Sequence, residues 1–433
     1  MKSSISRRRF IKNAAVTAGV FTIVPRFVLG KGFIAPSDKI TMALIGCGRQ
    51  RNVANRFISH SMEGEIVACS DLFAKKMEEF KKNTAEHYAE HRNKPEYSGI
   101  ATYLDYEEML ERDDIDAVVV ATPDHWHAIQ SIRAMEKGKD VYCEKPLTHT
   151  IKEGRAMVDA ARKYNRVVQT GSMQRSNNKF LKACQLVRNG YIGEVQKVLV
   201  NVGDPAIPYD LEAEPIPAGF DWVKWCGPSP VGPYNALLAP PQNEGLEYWP
   251  QWRQYQEYGG GILCDWGAHM FDIAQWGLGM DHTGPVEFIP PEDPKAVRGL
   301  RMLYANGVEM VHEDFERGWA VRFIGTEGSI DVSRSFLDSD PANIVSADLK
   351  DAKVKLVDTK ENHYQDFIDA VKARSTPICD VEIGHRSASI CNIANIAYDL
   401  HRPLTWDPVK EKFKGDGQAN RLRKKKYSKG YKL

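Results

Sequence analysis

The chain has 433 residues, of which 42% are hydrophobic and 27% are charged. This length is too great for one ordinary core and predicts two domains, while the composition is that of a soluble globular protein. Residues 1–37 hold seven of the 58 Lys and Arg residues and no acidic residue, so the rest has 51 basic against 57 acidic residues, a net charge of −6. This negative balance argues against a nucleic-acid partner.

The first 37 residues predict an export signal and a linker. Arg7 and Arg8 stand ahead of Phe10 and Lys12, and a short apolar stretch over 14–24 follows. This arrangement is typical of the bacterial twin-arginine (Tat) signal, which directs folded proteins out of the cytoplasm. We therefore expect the Tat export machinery as a partner and a periplasmic location, with a membrane tether if the signal is retained. A basic amphipathic helix or a transmembrane anchor is the alternative.

The eight cysteines and the basic C-terminal tail predict no binding site. The cysteines form no C-x-x-C pair and no metal-ligand spacing, so we expect buried thiols, no essential disulfide and no metal site. The Lys and Arg residues over 421–426 predict a solvated surface segment.

From residue 38 to residue 170 the pattern alternates between strands and helices. Apolar runs that predict strands lie at 40–45, 65–70, 117–121, 140–143 and 167–169. One helix is predicted to end at residue 61, and further helices are predicted at 75–90, 127–137 and 151–164. The valines at 118–120 are continuous, as expected for a strand that is buried on both faces of a parallel sheet. This βαβ alternation predicts a Rossmann domain with a parallel doubly wound sheet over 38–170.

A glycine turn follows the first predicted strand. Gly46-Cys47-Gly48 supplies two glycines of a dinucleotide-binding turn, one for the bend and one for close approach to a pyrophosphate, while Arg51 replaces the third. Asp71, at the end of the second strand, is placed to bind an adenosine ribose and to repel a 2′-phosphate. The motif therefore predicts NAD as the cofactor, with NADP less favoured.

Beyond residue 170 the pattern becomes rich in β-strands. Apolar and β-branched runs lie at 195–202, 297–304, 308–312, 319–324 and 328–332, and late helices are predicted at 363–373 and 384–399. These runs predict an α+β domain with an open, mainly antiparallel sheet over 171–433. The Pro-rich stretch 205–241 predicts an ordered excursion that caps the cofactor site.

Three ordered motifs carry a resemblance to a known family. Residues 121–127 read ATPDHWH, residues 144–146 read EKP, and residues 259–269 read GGGILCDWGAH with Asp272 beyond them. Together with the glycine turn, these motifs resemble the Gfo/Idh/MocA oxidoreductases, which include glucose–fructose oxidoreductase and inositol 2-dehydrogenase. In that family the third motif is a Gly-rich strand followed by D-x-x-x-H. The resemblance runs from residue 38 to the C-terminus and implies hydride transfer on a sugar-like polyol.

The resemblance also implies roles for individual residues. Lys145 is expected to orient the substrate hydroxyl, and Asp265 and His269 are expected to supply the base, a role that suits a neutral histidine. Cofactor contacts are expected from Gly46, Cys47, Gly48, Gln50, Asp71, Thr122, Pro123, His127, Glu144, Lys145 and Gln174. Substrate contacts are expected from Arg175, Arg253, Asp265 and His269. The open sheet is expected to join the subunits of a homo-oligomer.

Three classes of function fit these residues. The first is an NAD(P)-dependent oxidoreductase of sugars or polyols whose cofactor is tightly held, because free NAD is scarce outside the cytoplasm. The second is an NAD-dependent glycoside hydrolase that oxidises C3 transiently and eliminates the aglycone. Some relatives of this fold do so, but their Gly-rich segment carries a Tyr and His arrangement unlike 259–269. The third is a non-catalytic exported module that binds a dinucleotide or a sugar, which the presence of Lys145, Asp265 and His269 argues against.

Overall fold

The computed structural model describes residues 38–242 and 249–433. The export signal predicted for residues 1–37 lies outside them and stays a prediction. Residues Ile40–Leu433 form one compact unit. Among the described residues, no helix has the length and apolar composition needed to cross a bilayer, and no three His, Cys, Asp or Glu side chains gather as a metal site.

Six parallel strands form the first sheet, in the spatial order β3-β2-β1-β4-β5-β6. The strands are β1 (Ile40–Ile45), β2 (Gly64–Ser70), β3 (Ala101–Tyr103), β4 (Ala117–Val120), β5 (Asp140–Cys143) and β6 (Val168–Thr170). The connecting helices are α1 (Asn52–His60), α2 (Ala74–Arg92), α3 (Tyr106–Leu110), α4 (Asp124–Glu136) and α5 (Ile151–Lys163). The predicted doubly wound Rossmann sheet is confirmed. Its order reverses between β1 and β4, which opens a crevice at the carboxyl ends of the strands.

Both faces of this sheet are buried. Alternate residues of β1 serve opposite faces, so Ala43 and Ile45 belong to one apolar cluster while Met42 and Leu44 belong to the other. The valines of β4 likewise have no exposed surface. Burial of each such side chain stabilises the fold by about 1.5–3 kcal/mol, which explains the continuous apolar runs in the sequence.

A second sheet of nine strands follows, in the order β13-β12-β11-β7-β10-β9-β8-β14-β15. Its strands are β7 (Val195–Asn201), β8 (Glu287–Ile289), β9 (Leu300–Leu303), β10 (Glu309–His312), β11 (Ala320–Gly325), β12 (Ser329–Val332), β13 (Leu337–Asp340), β14 (Leu404–Asp407) and β15 (Lys412–Phe413). The pair β7–β10 is parallel and the other pairs are antiparallel. The prediction of an open, mainly antiparallel sheet is confirmed.

Helices cover one face of the second sheet. They are α6 (Asn178–Arg188), α8 (Gly261–Leu278) and α10 (Val381–Leu400), and the short helices α7 (Trp222–Cys226) and α11 (Gly417–Leu422) lie in connecting segments. Phe180, Phe271 and Phe323 meet in the shared core between helices and sheet. The helix α8 therefore runs beneath the sheet and carries its side chains toward the Rossmann crevice.

The chain returns to the Rossmann sheet after the second sheet is built. Helix α9 (His363–Ala373) packs Tyr364, Phe367 and Ile368 into the same apolar cluster as β1 and α1. Gln169 of β6 also forms a bridge with Asp380, just before α10. The Rossmann core is thus completed by residues from the last quarter of the chain.

The basic tail is not fully solvated, and the expectation for Lys425 is wrong. Its Nζ lies 2.9 Å from Nδ1 of His149 and 3.5 Å from a carboxylate oxygen of Glu153. The hydroxyl of Tyr427 donates to the same carboxylate at 2.6 Å. Burial lowers the pKa of Lys425, and Glu153 offsets part of this effect. A charge run in the sequence does not reveal a partner that lies far away along the chain.

Candidate active site

A cleft with a volume of about 260 Å³ lies at the carboxyl edge of β1, β2, β4 and β5. Its other wall comes from residues within 224–242 and 250–253 and from the start of α8. The sequence-predicted residues that line it are Gly46, Gly48, Gln50, Asp71, Thr122, Pro123, His127, Glu144, Lys145, Arg253 and Asp265. The structure therefore brings most of the predicted residues to one cleft at the topological switch point, where ligands bind in such sheets.

The glycine turn has the shape that a dinucleotide requires. Gly46 has φ of +96°, and a Cβ there would lie 2.9 Å from backbone atoms of Ala121 and Thr122, so only glycine fits. A Cβ built on Gly48 would meet no described atom within 4 Å, which leaves room for a phosphate beside the backbone. The turn therefore fits a pyrophosphate despite the missing third glycine.

Asp71 holds this turn in place. Its two carboxylate oxygens accept hydrogen bonds from the N–H of Cys47 at 2.7 Å and from the N–H of Phe73 at 2.9 Å. Cys47 itself is fully buried and does not line the cleft. Its backbone thus contributes by positioning Asp71 rather than by facing the cofactor.

His127 joins two loops at the bottom of the cleft. Its ring nitrogens lie 2.8 Å from the carbonyl oxygens of Pro146 and Thr122. Burial lowers the pKa of His127 to about 4, although the contacts with the two carbonyl groups raise it in part. The side chain of Thr122 donates to Gln130 at 2.7 Å. His127 therefore shapes the loops that follow β4 and β5.

Lys145 and Asp265 form a buried ion pair across the cleft. The Nζ of Lys145 donates to Oδ1 and to the carbonyl oxygen of Asp265, both at 2.8 Å, and the side chains are 8% and 5% exposed. Arg253 adds a second cation, with Nε 3.5 Å from the same Oδ1. Burial alone would raise the pKa of Asp265, but the charges of Lys145 and Arg253 outweigh it and hold this pKa below its usual value.

Glu144 does not hold Lys145, although it precedes it in the chain. Burial raises the pKa of Glu144 more than the charges of Lys145 and Arg56 lower it. Its Oε1 has no hydrogen-bond partner among the described residues. Glu144 is therefore a buried acid with an acceptor left for a ligand.

His269 lies one helical turn beyond Asp265 on α8 and is 3% exposed. It does not pair with Asp265, since its Nε2 lies 3.3 Å from Nη2 of Arg334 and its Nδ1 has no described partner. Burial lowers the pKa of His269 well below the usual value, and the charges of Lys145 and Arg334 lower it further. The ring is therefore a neutral imidazole next to, but outside, the lining of the cleft.

The Gly-rich motif begins a helix, so the expected strand is wrong. Gly261 opens α8 with φ of +73°, and a Cβ there would lie 2.4 Å from the backbone nitrogen of Ala206. The glycines thus let the helix start in contact with the chain at 204–206. The apolar residues that follow resemble a strand in sequence because they are buried on several sides.

Gln174 and Arg175, like His269, lie outside the cleft lining. The guanidinium of Arg175 is 2% exposed and donates to both oxygens of Asp272, each at 2.8 Å, and to Asp281 at 2.7 and 3.1 Å. A substrate contact would require these buried pairs to break. Gln174, with its amide oxygen turned toward Arg334, accepts from Nε at 3.1 Å and donates to the carbonyl of His269 at 3.3 Å.

Sequence reasoning missed Asp124, which lines the cleft at the first residue of α4. Burial raises the pKa of Asp124 to about 8, and the charge of Asp265 adds to this shift. A carboxyl group that is protonated at neutral pH inside a cleft is a candidate functional group. Its place within the ATPDHWH motif was the available signal.

An aromatic cluster, here called the aromatic lid, contributes residues to the wall of the cleft. Its buried members are Phe73, Phe220, Trp222, Trp225, Cys226, Tyr234, Leu238, Ala239, Trp252, Tyr255 and Tyr258. Phe73, just after Asp71, stacks on Phe220 with ring centroids 3.9 Å apart. Lys224 adds an ion pair to Asp105 at 2.7 Å. The lid thus fastens the excursion from the second domain onto the cofactor side of the first.

Solved structures share this fold. The dehydrogenase WlbA from Bordetella pertussis, in complex with NADH and UDP-GlcNAcA, aligns with a TM-score of 0.58 and 16% identity over 85% of this chain and 98% of that one. Myo-inositol 2-dehydrogenase from Lactobacillus plantarum aligns with a TM-score of 0.54 and 18% identity over 85% and 99%. At these identities the likeness shows the fold alone.

Sequence relatives match over a shorter span. Glycosyl hydrolase family 109 protein 1 from Shewanella sp. (strain ANA-3) is 33% identical over 214 residues, and an alpha-N-acetylgalactosaminidase from Shewanella oneidensis is 32% identical over 214 residues. Each match covers 44% of this chain and 44% of the relative. The chain thus matches less than half the length of these relatives.

Family models account for most of the chain. The model described as "Oxidoreductase family, NAD-binding Rossmann fold" matches residues 40–172, and "Oxidoreductase family, C-terminal alpha/beta domain" matches residues 205–433. The resemblance drawn from the motifs and the expectation of an NAD site are confirmed. The chain belongs to the Gfo/Idh/MocA oxidoreductase family and carries its NAD-binding Rossmann domain.

Proposed function

We propose that this chain transfers a hydride between a hydroxyl carbon of a sugar or polyol and a tightly held NAD cofactor. The observation that carries the proposal is the buried pair of Lys145 and Asp265 at the carboxyl edge of β5, with Nζ and Oδ1 2.8 Å apart. Bound NAD would accept the hydride from the substrate carbon or return it. Gly46, Gly48 and Asp71 would hold its pyrophosphate and adenosine ribose.

Three side chains would have separate roles in this reaction. The ammonium of Lys145 has three donors and uses two of them on Asp265, so the third would be available to a substrate oxygen. There its charge would stabilise the alkoxide that develops as the hydride leaves carbon. His269, which burial keeps neutral, would accept the hydroxyl proton. Asp265 keeps the ammonium pointed into the cleft.

The aromatic lid supports tight holding of the cofactor. Several of its members line the same cleft as the glycine turn and Asp71. We expect a bound dinucleotide to be released when the lid separates from the Rossmann domain. A closed redox cycle on a retained cofactor suits an enzyme that works where free NAD is scarce.

The test compares the wild type with Lys145→Ala, Lys145→Arg and the surface variant Lys137→Ala. Purified wild-type protein should carry nicotinamide absorbance and should show reduction of bound NAD in a single turnover with a sugar from a panel. We expect Lys145→Ala to keep its NAD and fold but to lose about 10²–10⁴-fold in rate. Lys145→Arg should not restore the rate, because a guanidinium is bulkier than an ammonium. Wild-type rates in Lys145→Ala would remove Lys145 from the reaction.

A second candidate is an NAD-dependent glycoside hydrolase. The matches to glycosyl hydrolase family 109 proteins favour it, as does Asp124, a protonated acid in the cleft that could donate to a leaving group. A hydrolase would release the aglycone from a nitrophenyl glycoside with no net change in bound NADH. An oxidoreductase would leave the glycosidic bond intact and change the redox state of its cofactor.

We also propose export by the Tat pathway to the periplasm, which rests on the twin arginine at residues 7 and 8. Arg7→Lys combined with Arg8→Lys should leave folded, cofactor-loaded protein in the cytoplasm. Fractionation of cells and assay of bound nicotinamide measure this. Normal periplasmic accumulation of the double variant would contradict the proposal.

Finally, we propose a homo-oligomer that forms through the free face of the second sheet. Leu199 of β7 and Val311 of β10 are paired neighbours in this sheet, and Leu199 lies on the face opposite the helices. Light scattering of the wild type should give a multiple of the monomer mass, and Leu199→Glu should lower it. A monomeric wild type would refute the proposal.

A further inference from the structure

Arg334 lies in the tight turn between β12 and β13 and reaches the side of His269. Its Nη2 is 3.3 Å from Nε2 of His269, and its guanidinium carbon is 4.8 Å from the centre of the Trp266 ring. Trp266 in turn stacks on Trp319, with ring centroids 4.7 Å apart, and Trp319 is 40% exposed. The turn thus places a guanidinium over the ring of Trp266, which also stacks on Trp319, beside the proposed base.

The turn itself is firmly built. The hydroxyl of Ser333 accepts hydrogen bonds from the N–H groups of Ser335 and Phe336 at 3.0 and 3.2 Å. The N–H of Ser333 donates to the carbonyl of Phe336 at 3.0 Å. The position of the Arg334 backbone is therefore fixed, and its side chain is held by contacts with His269, Trp266 and Gln174.

Arg334 forms no direct ion pair among the described residues, and the carboxylates of Glu144 and Asp265 act on its charge from a longer distance. Two other arginines of the sheet, Arg317 and Arg322, lie 3.1 and 2.6 Å from carboxylate oxygens of Asp331. Arg334 has no carboxylate within ion-pair distance among the described residues, although it points toward a candidate active site. A guanidinium is always charged and its fork of donors matches a carboxylate or a phosphate.

The contact with His269 also has a chemical consequence. A guanidinium can only donate, so Nε2 of His269 must be the acceptor and Nδ1 must carry the ring proton. In this arrangement the lone pair that would take a substrate proton is already engaged. The base becomes available only when Arg334 withdraws from it.

We propose that Arg334 binds an anionic group of the substrate, and that the same movement uncovers Nε2 of His269. This inference rests on the proposed function and narrows its substrate class to sugars that carry a carboxylate or a phosphate. The sugar ring would pack against the exposed ring of Trp319, as apolar ring faces do on aromatic side chains. A neutral sugar lacks the group that draws Arg334 away, so it reacts poorly.

The test uses matched pairs of ligands with the NAD-loaded protein. Glucuronate is compared with glucose, galacturonate with galactose, and glucose 6-phosphate with glucose, both by calorimetric binding and by reduction of bound NAD. The pairs also distinguish a carboxylate from a phosphate as the preferred group. We expect the wild type to bind at least one anionic sugar about tenfold or more tightly than its neutral partner.

Arg334→Gln should remove that preference and raise the KM for the anionic sugar about 10–100-fold, while the KM for the neutral sugar stays unchanged. Arg334→Lys should restore part of the preference, because it keeps the charge without the fork. Arg301→Gln, which alters an exposed arginine of the same sheet, is the control and should behave like the wild type.

The pH dependence of kcat/KM tests separately whether Arg334 covers His269. The titratable or charged groups that act on His269 are Lys145, Arg334 and His363. Because Arg334→Gln removes one cation, the acid limb of kcat/KM should move to higher pH, which a loss of packing alone would not produce. An unchanged limb would refute the uncovering.

Equal binding of anionic and neutral sugars by the wild type, or an unchanged preference in Arg334→Gln, would overturn the inference. Binding that depends on Arg334 without reduction of NAD would support this inference while refuting the proposed function. Reduction of NAD by neutral sugars alone would support the proposed function while refuting this inference.

Discussion

Single side chains set the chemistry that the cleft can perform, and Asp124 shows this most clearly. Burial and the charge of Asp265 raise the pKa of Asp124 to about 8, against the opposing charges of Arg253, Lys145 and Lys425. Above that pH the cleft gains a negative charge that opposes formation of an alkoxide. We therefore expect kcat/KM to fall as pH rises through about 8.

Asp124→Asn keeps the shape of the protonated form and should abolish this alkaline limb. The measurement is kcat/KM across the neutral and alkaline range for the wild type and the variant. If the alkaline limb persists in Asp124→Asn, the limb arises from the titration of another group.

Asp71 acts on the cofactor through the turn that it holds. Asp71→Ala removes the acceptor of the Cys47 and Phe73 N–H groups as well as the proposed ribose contact. Hydrogen bonds to a charged group contribute about 1.5–3 kcal/mol each, so the Kd for NAD should rise about 10–100-fold or more, with less discrimination against NADP.

The measurement is cofactor binding to stripped protein by fluorescence, with Asp113→Ala on the exposed surface as the control. A wild type that prefers NADP by an order of magnitude would show that Asp71 does not select the cofactor.

At the scale of elements, Arg175 fastens three segments together. It follows β6, Asp272 lies on α8, and the hydroxyl of Ser387 on α10 donates to Asp272 at 2.7 Å. Arg175→Met would leave Asp272 buried without its cation. We expect a loss of about 3–5 kcal/mol in the free energy of unfolding, because an uncompensated buried charge is strongly unfavourable.

Denaturant unfolding measures this loss. The exposed pair of Lys81 and Glu78 supplies the control, since Lys81→Met should change stability by less than about 1 kcal/mol. Equal unfolding midpoints for Arg175→Met and the wild type would mean that the clamp contributes nothing.

At the scale of the whole molecule, the aromatic lid joins the two domains over the cofactor. Phe220→Ala removes the ring that stacks on Phe73 and should open the lid more often. Large-to-small changes of a buried Phe weaken packing by about 3–5 kcal/mol, so loss of bound NAD should become at least about tenfold faster. Val223→Ala, on the exposed side of the adjacent helix α7, should leave the rate unchanged.

Retention of nicotinamide absorbance during dialysis follows the loss of cofactor. If Phe220→Ala keeps its cofactor as long as the wild type does, the lid does not hold it.

The sequence by itself determined the Rossmann sheet, the glycine turn and the NAD site. These depend on local patterns: a continuous apolar run marks a strand buried on both faces, and glycine is the residue that fits at φ of +96°. It also suggested Lys145, Asp265 and His269 as members of one candidate site, because the family motifs imply that these residues are close in space although they are distant in the chain.

Only the tertiary structure decided how those residues pair. Lys145 and Asp265 are separated by 120 positions, yet they share a hydrogen bond, while Asp265 and His269 on one helix do not. Arg175, which the sequence suggested as a substrate contact, forms a buried ion pair with Asp272. Arg334, in a turn of the second sheet, lies beside His269. The physical reason is that residue type and periodicity specify which face of an element is buried, whereas partners of a charged group depend on how separate elements pack.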